Sequence, residues 1–153
     1  MAGRVMRFLS GWGAFVVAAV WLAWLAVVNL WPGSWWFDVR RVVVFDAPAG
    51  VEILMEVDRV IHREFIADWS AVVRRWEDGG WTVACVGRGK SNYRPDAVLP
   101  DPLTLSWWTD GACPTLPTGR YFVSTIWTIR GGGLPDKVIQ TASNIFTIGG
   151  NGP

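Results

Sequence analysis

A run of 24 residues without a charged side chain, from Phe8 to Trp31, constrains this chain more than any other feature of its sequence. An α-helix rises about 1.5 Å per residue, so the run would span about 36 Å, which is more than the apolar core of a bilayer. A helix buried in a soluble domain rarely stays apolar on every face over such a length. We therefore predict a transmembrane helix at residues 8–31, preceded by a short tail at residues 1–7.

The flanks of this run predict how the helix lies in the membrane. Tryptophan occupies positions where signal peptidase needs small side chains, so we expect the segment to be retained as an anchor. Arg4 and Arg7 precede the run, and Arg40 and Arg41 follow it, so the positive charges on its two sides nearly balance. The closeness of Arg4 and Arg7 to the run favours the inner (plasma) membrane with a cytoplasmic N-terminus and a periplasmic or extracellular C-terminal domain. A virion-associated membrane is left open. Small side chains recur at every fourth position along the run, so a homo-oligomer formed through the helix is also left open.

The next segment, residues 32–41, is an aromatic juxtamembrane region. Trp35 and Trp36, together with Trp31 before them, are expected at the water interface of the membrane, where amphipathic rings are favoured over either pure phase. We interpret these three residues as a membrane-interface belt and not as a ligand site.

Beyond residue 41 the pattern changes to short strands. Residues 42–150 contain β-branched and alternating segments separated by turns rich in Gly, Pro and Asp. The clearest segment is 120–130, where every second residue from Tyr121 shares one face. Residues 103–108 are another predicted strand. About seven strands at this spacing predict an all-β sandwich rather than a parallel α/β fold.

Residues 59–76 are compatible with two structures. A helix or a strand would each gather apolar side chains on one face. The strand is favoured because turn residues 77–80 and an alternating segment at 81–85 follow. These three segments together predict a β-hairpin.

The turn before the predicted strand 120–130 has the composition of a structural corner. It contains Leu116, Pro117 and Gly119, and Tyr121 follows directly. In Greek-key sandwiches a tyrosine near the start of the sixth strand hydrogen-bonds back across the preceding corner. Proline fixes φ and glycine permits positive φ, as such a corner requires. We interpret these residues as holding the fold, not as performing chemistry.

Through this corner and the strand spacing, residues 42–148 resemble immunoglobulin-like and fibronectin-type sandwiches, although the cysteine–tryptophan–cysteine arrangement of antibody domains is not reproduced. The chain also resembles uncharacterised membrane-anchored proteins from phages and prophages of proteobacteria. The shared features are DRVIHREF, the WW pair at 107–108, Cys113, the LPTGRY corner and the terminal SNIF. The resemblance implies a C-terminal immunoglobulin-like domain and a phage or prophage origin, and it implies no known activity.

Cys85 and Cys113 are the two cysteines of the chain. Two cysteines in a small domain often pair in an oxidising compartment. We predict a disulfide that closes a loop of about 28 residues and stabilises the domain by about 3 kcal/mol. Two free thiols are the alternative if the domain faces the cytoplasm. One histidine and two distant cysteines make a poor zinc ligand set, so we expect no metal or other cofactor.

Two motifs resemble enzyme sites but lack the required context. Residues 84–91, ACVGRGKS, satisfy a relaxed P-loop pattern, but Pro95 would interrupt the helix that must follow, so we predict a mobile basic loop instead. His62 and Ser70 could belong to a catalytic triad with a nearby aspartate. Along a strand, however, they would lie far beyond hydrogen-bond reach of each other.

Trp107 and Trp108 are the candidate partner-binding residues. In an alternating strand they would point to opposite faces, so we expect one ring in the core and the other facing solvent or a partner, with a second packed layer or the membrane surface as alternative covers. A formal charge of +1 gives no reason to expect nucleic acid. The predicted function is a non-enzymatic, membrane-anchored sandwich that binds a protein partner at the cell envelope, as a structural, lysis or exclusion component of a phage or prophage. The alternative is an envelope hydrolase whose site is assembled from distant loops.

Overall fold

The computed structural model describes residues 2–30, 32–130 and 135–149. The chain begins with helix α1 (Ala2–Leu30) and one turn of 3-10 helix at Gly33–Trp35. The remaining elements are, in order, β1 (Phe37–Val44), β2 (Met55–Ile61), β3 (Phe65–Glu77), β4 (Gly80–Tyr93), α2 (Leu105–Trp108), β5 (Gly119–Ile129), β6 (Lys137–Ala142) and β7 (Phe146–Ile148). Trp31 of the predicted belt lies outside the described residues, as does residue 150 at the end of the predicted domain.

The seven strands form two sheets with antiparallel pairing. β1 pairs with β2 in the smaller sheet, and the larger sheet has the order β4–β3–β5–β6. β6 pairs with the second half of β5, and β7 pairs with its beginning. A bridge from Ala47 to Ile148 links the chain after β1 to β7. This arrangement is consistent with the predicted β-sandwich.

The core is built around the inner face of β5. Every second side chain of this strand, from Tyr121 to Ile129, is buried, as the alternating sequence predicts. Phe37 of the smaller sheet packs against this face, with its ring centroid 5.0 Å from that of Trp127. The burial of every second side chain confirms the strand predicted at 120–130. The buried face is the one against which the smaller sheet packs.

β3 and β4 form the predicted hairpin. Its turn places Asp78 and Gly79 at φ 49° and 83°, which is the two-residue geometry that an Asp-Gly pair favours. The ambiguous segment 59–76 is extended, as predicted, but it is not one strand. β2 ends at Ile61 and β3 begins at Phe65.

The strand predicted at residues 103–108 is wrong, because Leu105–Trp108 form a helical turn. Thr104 caps this turn, since its side-chain oxygen accepts a hydrogen bond from the backbone N–H of Trp107 at 3.2 Å. Only the beginning of the segment stays extended, through a bridge between Leu54 and Thr104.

Two predicted boundaries also need correction. Residues 84–91 are not a loop but lie inside β4, paired with β3. β1 begins at Phe37, so the juxtamembrane segment predicted at 32–41 is partly incorporated into the sheet. The reason is that Phe37 belongs to the buried core, and burying an aromatic ring stabilises a strand more strongly than an interfacial position would.

Helix α1 begins at Ala2, so it takes in most of the tail assigned to residues 1–7. Its described apolar side chains are largely exposed, for example Trp12 and Phe15. Val28 is buried at the other end, where its carbonyl accepts a hydrogen bond from Lys137 Nζ of β6 at 3.1 Å. Within the described part of the chain, no helix combines the length and the apolarity needed to cross a membrane.

Candidate functional site

A groove with a volume of about 800 Å³ opens between α2, the ends of β3 and β4, and β2. Its size is in the range of pockets that accept a small molecule or a short stretch of chain. The groove is lined mainly by rings and by side chains with hydroxyl or amide groups. Its aromatic residues are Trp69, Tyr93, Trp107, Trp108 and Trp127.

The helical turn α2 decides how Trp107 and Trp108 are presented. Residues three apart on a helix lie on the same side, so Leu105 and Trp108 face the core together while Trp107 points away from it. Trp108 is 7% exposed and donates its indole N–H to Thr125 Oγ1 at 3.0 Å, whereas Trp107 is 53% exposed. One ring is thus buried and the other exposed, but through helical rather than strand geometry.

Internal hydrogen bonds hold two further rings of the groove in place. Trp69 donates its indole N–H to Ser91 Oγ at 3.2 Å, and Trp127 donates to Tyr93 Oη at 3.0 Å. Burial raises the pKa of Tyr93, and the hydrogen bond from Trp127 partly offsets this. The tyrosine is therefore a neutral, fixed part of the wall at ordinary pH.

Arg59, on β2, is the one basic side chain among the residues that line the groove. Its guanidinium carbon lies 5.8 Å from the centre of the Tyr93 ring, within reach of a cation–π interaction. Burial lowers the pKa of Arg59, and the charge interaction with Tyr93 partly offsets this. Within the described residues, its side chain makes no hydrogen bond or ion pair. Glu52 and Asp110 also line the groove, but neither pairs with Arg59.

The glycines that suggested a P-loop explain the close packing around the groove. A Cβ at Gly87 would overlap the backbone of Thr109, just after α2, and one at Gly89 would come within 2.8 Å of the Trp69 ring. Glycine in a strand often marks such a close approach. Because the motif lies inside a paired strand, it does not form the strand-to-helix loop that cradles phosphate.

The predicted disulfide between Cys85 and Cys113 is confirmed, with a Cα–Cα distance of 6.1 Å and a sequence separation of 28 residues. It joins β4 to the loop that follows α2. The segment that presents Trp107 is therefore tied covalently to the larger sheet.

The predicted corner lies at the beginning of β5. Tyr121 Oη donates a hydrogen bond to the carbonyl of Pro117 at 2.6 Å, and Leu116 is buried beside it. A Cβ at Gly119 would come within 2.8 Å of the Arg75 side chain, so this position also needs a small residue. The tyrosine is in the fifth strand rather than the sixth because residues 103–108 form a helical turn.

The other candidate residues lie apart from the groove. His62 is exposed between β2 and β3, and its backbone N–H donates to the carbonyl of Trp36 at 2.8 Å. Trp35 is exposed, whereas Trp36 is half-buried against the core, so the two rings do not share one environment. Across residues 2–30, 32–130 and 135–149, no cluster of His, Cys, Asp and Glu side chains could hold a metal ion.

No family model and no curated protein matches this chain.

Sequence reasoning missed Arg59, Trp69 and Tyr93 as parts of a site. Trp69 and Tyr93 could have been placed on the inner face of the hairpin from its alternation. Their meeting with Trp107 depends on α2, which the sequence analysis took for a strand. No local pattern marks Arg59, whose significance is that its side chain has no hydrogen-bond or ion-pair partner among the described residues.

Proposed function

We propose that this protein is a membrane-anchored β-sandwich that binds a protein partner through the groove beside Trp107 and does not catalyse a reaction. The observation that carries the proposal is the exposed Trp107 ring at a groove whose other rings are fixed. Tryptophan is enriched among the residues that dominate protein–protein binding energy. A pre-formed site binds more tightly because little conformational entropy is lost on association.

Anchoring in the inner membrane, with a cytoplasmic N-terminus and a periplasmic or extracellular sandwich, is part of the proposal. It is supported by the run of 24 residues without a charged side chain at 8–31. The apolar rings exposed along α1 need an apolar cover, which lipid would supply. The disulfide fits a domain in an oxidising compartment.

Within the sandwich class we propose an immunoglobulin-like domain. Its support is the larger sheet, in which the strand carrying Tyr121 lies between its neighbours β3 and β6, together with the hydrogen bond at the corner. A phage or prophage origin, with a structural, lysis or exclusion role, is supported by the sequence resemblance alone.

The partner site is tested by photo-crosslinking in cells. A benzophenone amino acid replaces Trp107 in the full chain and, as the matched control, Trp76. Trp76 is 41% exposed and does not line the groove. We expect a discrete cross-linked protein from position 107 and none of the same mass from position 76. The same adducts from both positions, or none from position 107, would contradict the proposal.

The membrane placement is tested separately by alkaline carbonate extraction of membranes. The full chain should stay in the pellet, and a chain lacking residues 8–31 should be released. Protease added to spheroplasts should then digest the sandwich of the full chain. Protection of the sandwich would reverse the proposed orientation.

A further inference from the structure

We propose that the groove takes an extended peptide segment of the partner bearing a single carboxylate, and that Arg59 binds this carboxylate. The inference rests on the proposed function of the groove and adds the chemical class of its ligand.

The positive charge of Arg59 has no hydrogen-bond acceptor or ion-pair partner among the described residues. A partly desolvated cation is costly unless an anion or hydrogen-bond acceptors replace the lost water. Among the described residues, the cation–π contact with Tyr93, at 5.8 Å, is the one polar or charge interaction that the Arg59 side chain makes. A cation–π contact offsets only part of the cost of desolvation. A carboxylate entering the groove could accept two parallel N–H bonds from the guanidinium, which is the geometry that arginine suits best.

Three of the four indole N–H groups that line the groove are committed to the protein itself. The indole donors of Trp69, Trp108 and Trp127 are all used inside the protein. The side-chain amide of Asn92 donates to Glu64 at 2.7 Å. The ring faces that line the groove suit proline or aromatic side chains of a peptide, which need no hydrogen-bond donor from the wall.

The acidic residues of the groove limit how many carboxylates the ligand carries. Glu52 and Asp110 line the same groove as Arg59. Their negative charges would repel a polyanion or a dense acidic cluster, because like charges in one groove cost free energy. Val98, Pro100 and Pro102 extend the lining with apolar surface. One acidic residue flanked by uncharged, apolar residues fits this combination.

The test uses the full chain in detergent micelles and two mRNA-display libraries of random ten-residue peptides. One library has glutamate fixed at the centre, and the other has glutamine there. We expect the glutamate library to be enriched about tenfold over the glutamine library, as a charge-assisted hydrogen bond implies. Arg59→Gln should remove this preference. Arg63→Gln is the matched control, because Arg63 is exposed and outside the groove.

A second measurement changes the peptide and keeps the protein unaltered, so it does not depend on the folding of a variant. In the best enriched peptide, replacing the central glutamate by glutamine should weaken binding to the unaltered protein about tenfold. Arg59→Lys, which keeps the charge but not the planar fork, should fall between the original protein and Arg59→Gln.

Trp107→Ala separates failure of this inference from failure of the proposed function. Enrichment that depends on Trp107 but shows no glutamate preference overturns the role of Arg59 and leaves the groove as the partner site. A glutamate preference that survives Arg59→Gln also overturns the role of Arg59 and leaves the groove as the partner site. No Trp107-dependent enrichment from either library overturns both proposals. Trp107-dependent binding to an acidic oligosaccharide array without peptide binding overturns the assignment of a peptide ligand.

Discussion

Two arginines of this sandwich lie over tyrosine rings, one toward each end of β5, and their surroundings differ. Arg75 lies 6.0 Å from the ring centre of Tyr121 at the corner, and Arg59 lies 5.8 Å from that of Tyr93 at the groove. The stacking geometry is therefore nearly the same. What differs is the set of hydrogen-bonding groups around each guanidinium.

At the corner, both terminal nitrogens of the Arg75 guanidinium find acceptors within the fold, while its Nε is buried without a hydrogen-bond partner in the described part of the chain. One terminal nitrogen donates to Glu77 at 2.8 Å, and the other donates to the carbonyl of Thr118 at 2.7 Å. The guanidinium of Arg59 has no such acceptor among the described residues. An arginine over a tyrosine ring therefore stabilises the fold when its terminal nitrogens have acceptors, as in Arg75, and can bind a ligand when they have none, as in Arg59.

The largest expected effect comes from the disulfide, which lies on the groove side. Replacing Cys85 and Cys113 together by serine should lower the free energy of unfolding by about 3 kcal/mol, because the unfolded chain gains the entropy of an open loop. Urea denaturation of the full chain in micelles, followed by near-UV circular dichroism, measures this loss. The variant should also bind the peptide more weakly, because α2 loses its tether.

Reductant supplies the control for the disulfide. It should destabilise the original protein and leave the double variant unchanged. Native protein with two freely labelled thiols and an unchanged urea midpoint would rule out the bond.

A smaller effect is expected at the corner. Tyr121→Phe removes the donor to the Pro117 carbonyl and should lower the free energy of unfolding by about 1–2 kcal/mol. Peptide binding should not change, because the corner does not line the groove. The matched variant Tyr93→Phe deprives the Trp127 indole of its acceptor, so it should lower stability and binding together. Loss of peptide binding in Tyr121→Phe would erase the distinction between the two ends.

The smallest effect is expected at alkaline pH. Burial raises the pKa of both Tyr93 and Tyr121 above the ordinary value of 10.0. In the unfolded chain the two phenols ionise near that ordinary value, so the unfolded state loses protons first as the pH rises. The stabilisation that comes from the raised pKa values of these two phenols is complete below about pH 10. It is lost as the pH rises through their pKa values in the folded protein.

Urea midpoints measured on both sides of about pH 10 test this dependence. The midpoint should fall as the solution becomes alkaline, and it should fall less in Tyr93→Phe. A midpoint that rises with pH in this range would contradict the sign.

The framework of the fold could be predicted from the sequence because it depends on neighbours along the chain. Alternation identified β5, the Asp-Gly turn identified the hairpin, and the two cysteines identified their own bond. The hydrogen bond of Tyr121 follows from a local turn in the same way. Each of these features is encoded within one or two adjacent segments.

The groove could not be predicted, because it depends on contacts between distant segments. Thr104 caps a helical turn where apolar spacing alone favoured a strand. The segment with Gly87 and Gly89 was predicted to be a mobile basic loop, because nothing local shows that these glycines lie against Thr109 and Trp69. No sequence pattern shows that the Arg59 side chain lacks a hydrogen-bond or ion-pair partner among the described residues.

The most direct test of the account compares the melting temperatures of Arg59→Met and Arg75→Met, each in the full chain in micelles. Methionine keeps an apolar stem of similar length and removes the charge. Arg75→Met should lower the melting temperature by about 4–8 °C, as expected for a loss of about 1 kcal/mol in a domain of this size. Arg59→Met should leave it unchanged or raise it, because it removes a desolvated charge without an acceptor. An equal fall in both variants would show that Arg59 supports the fold and would contradict its role as a ligand contact.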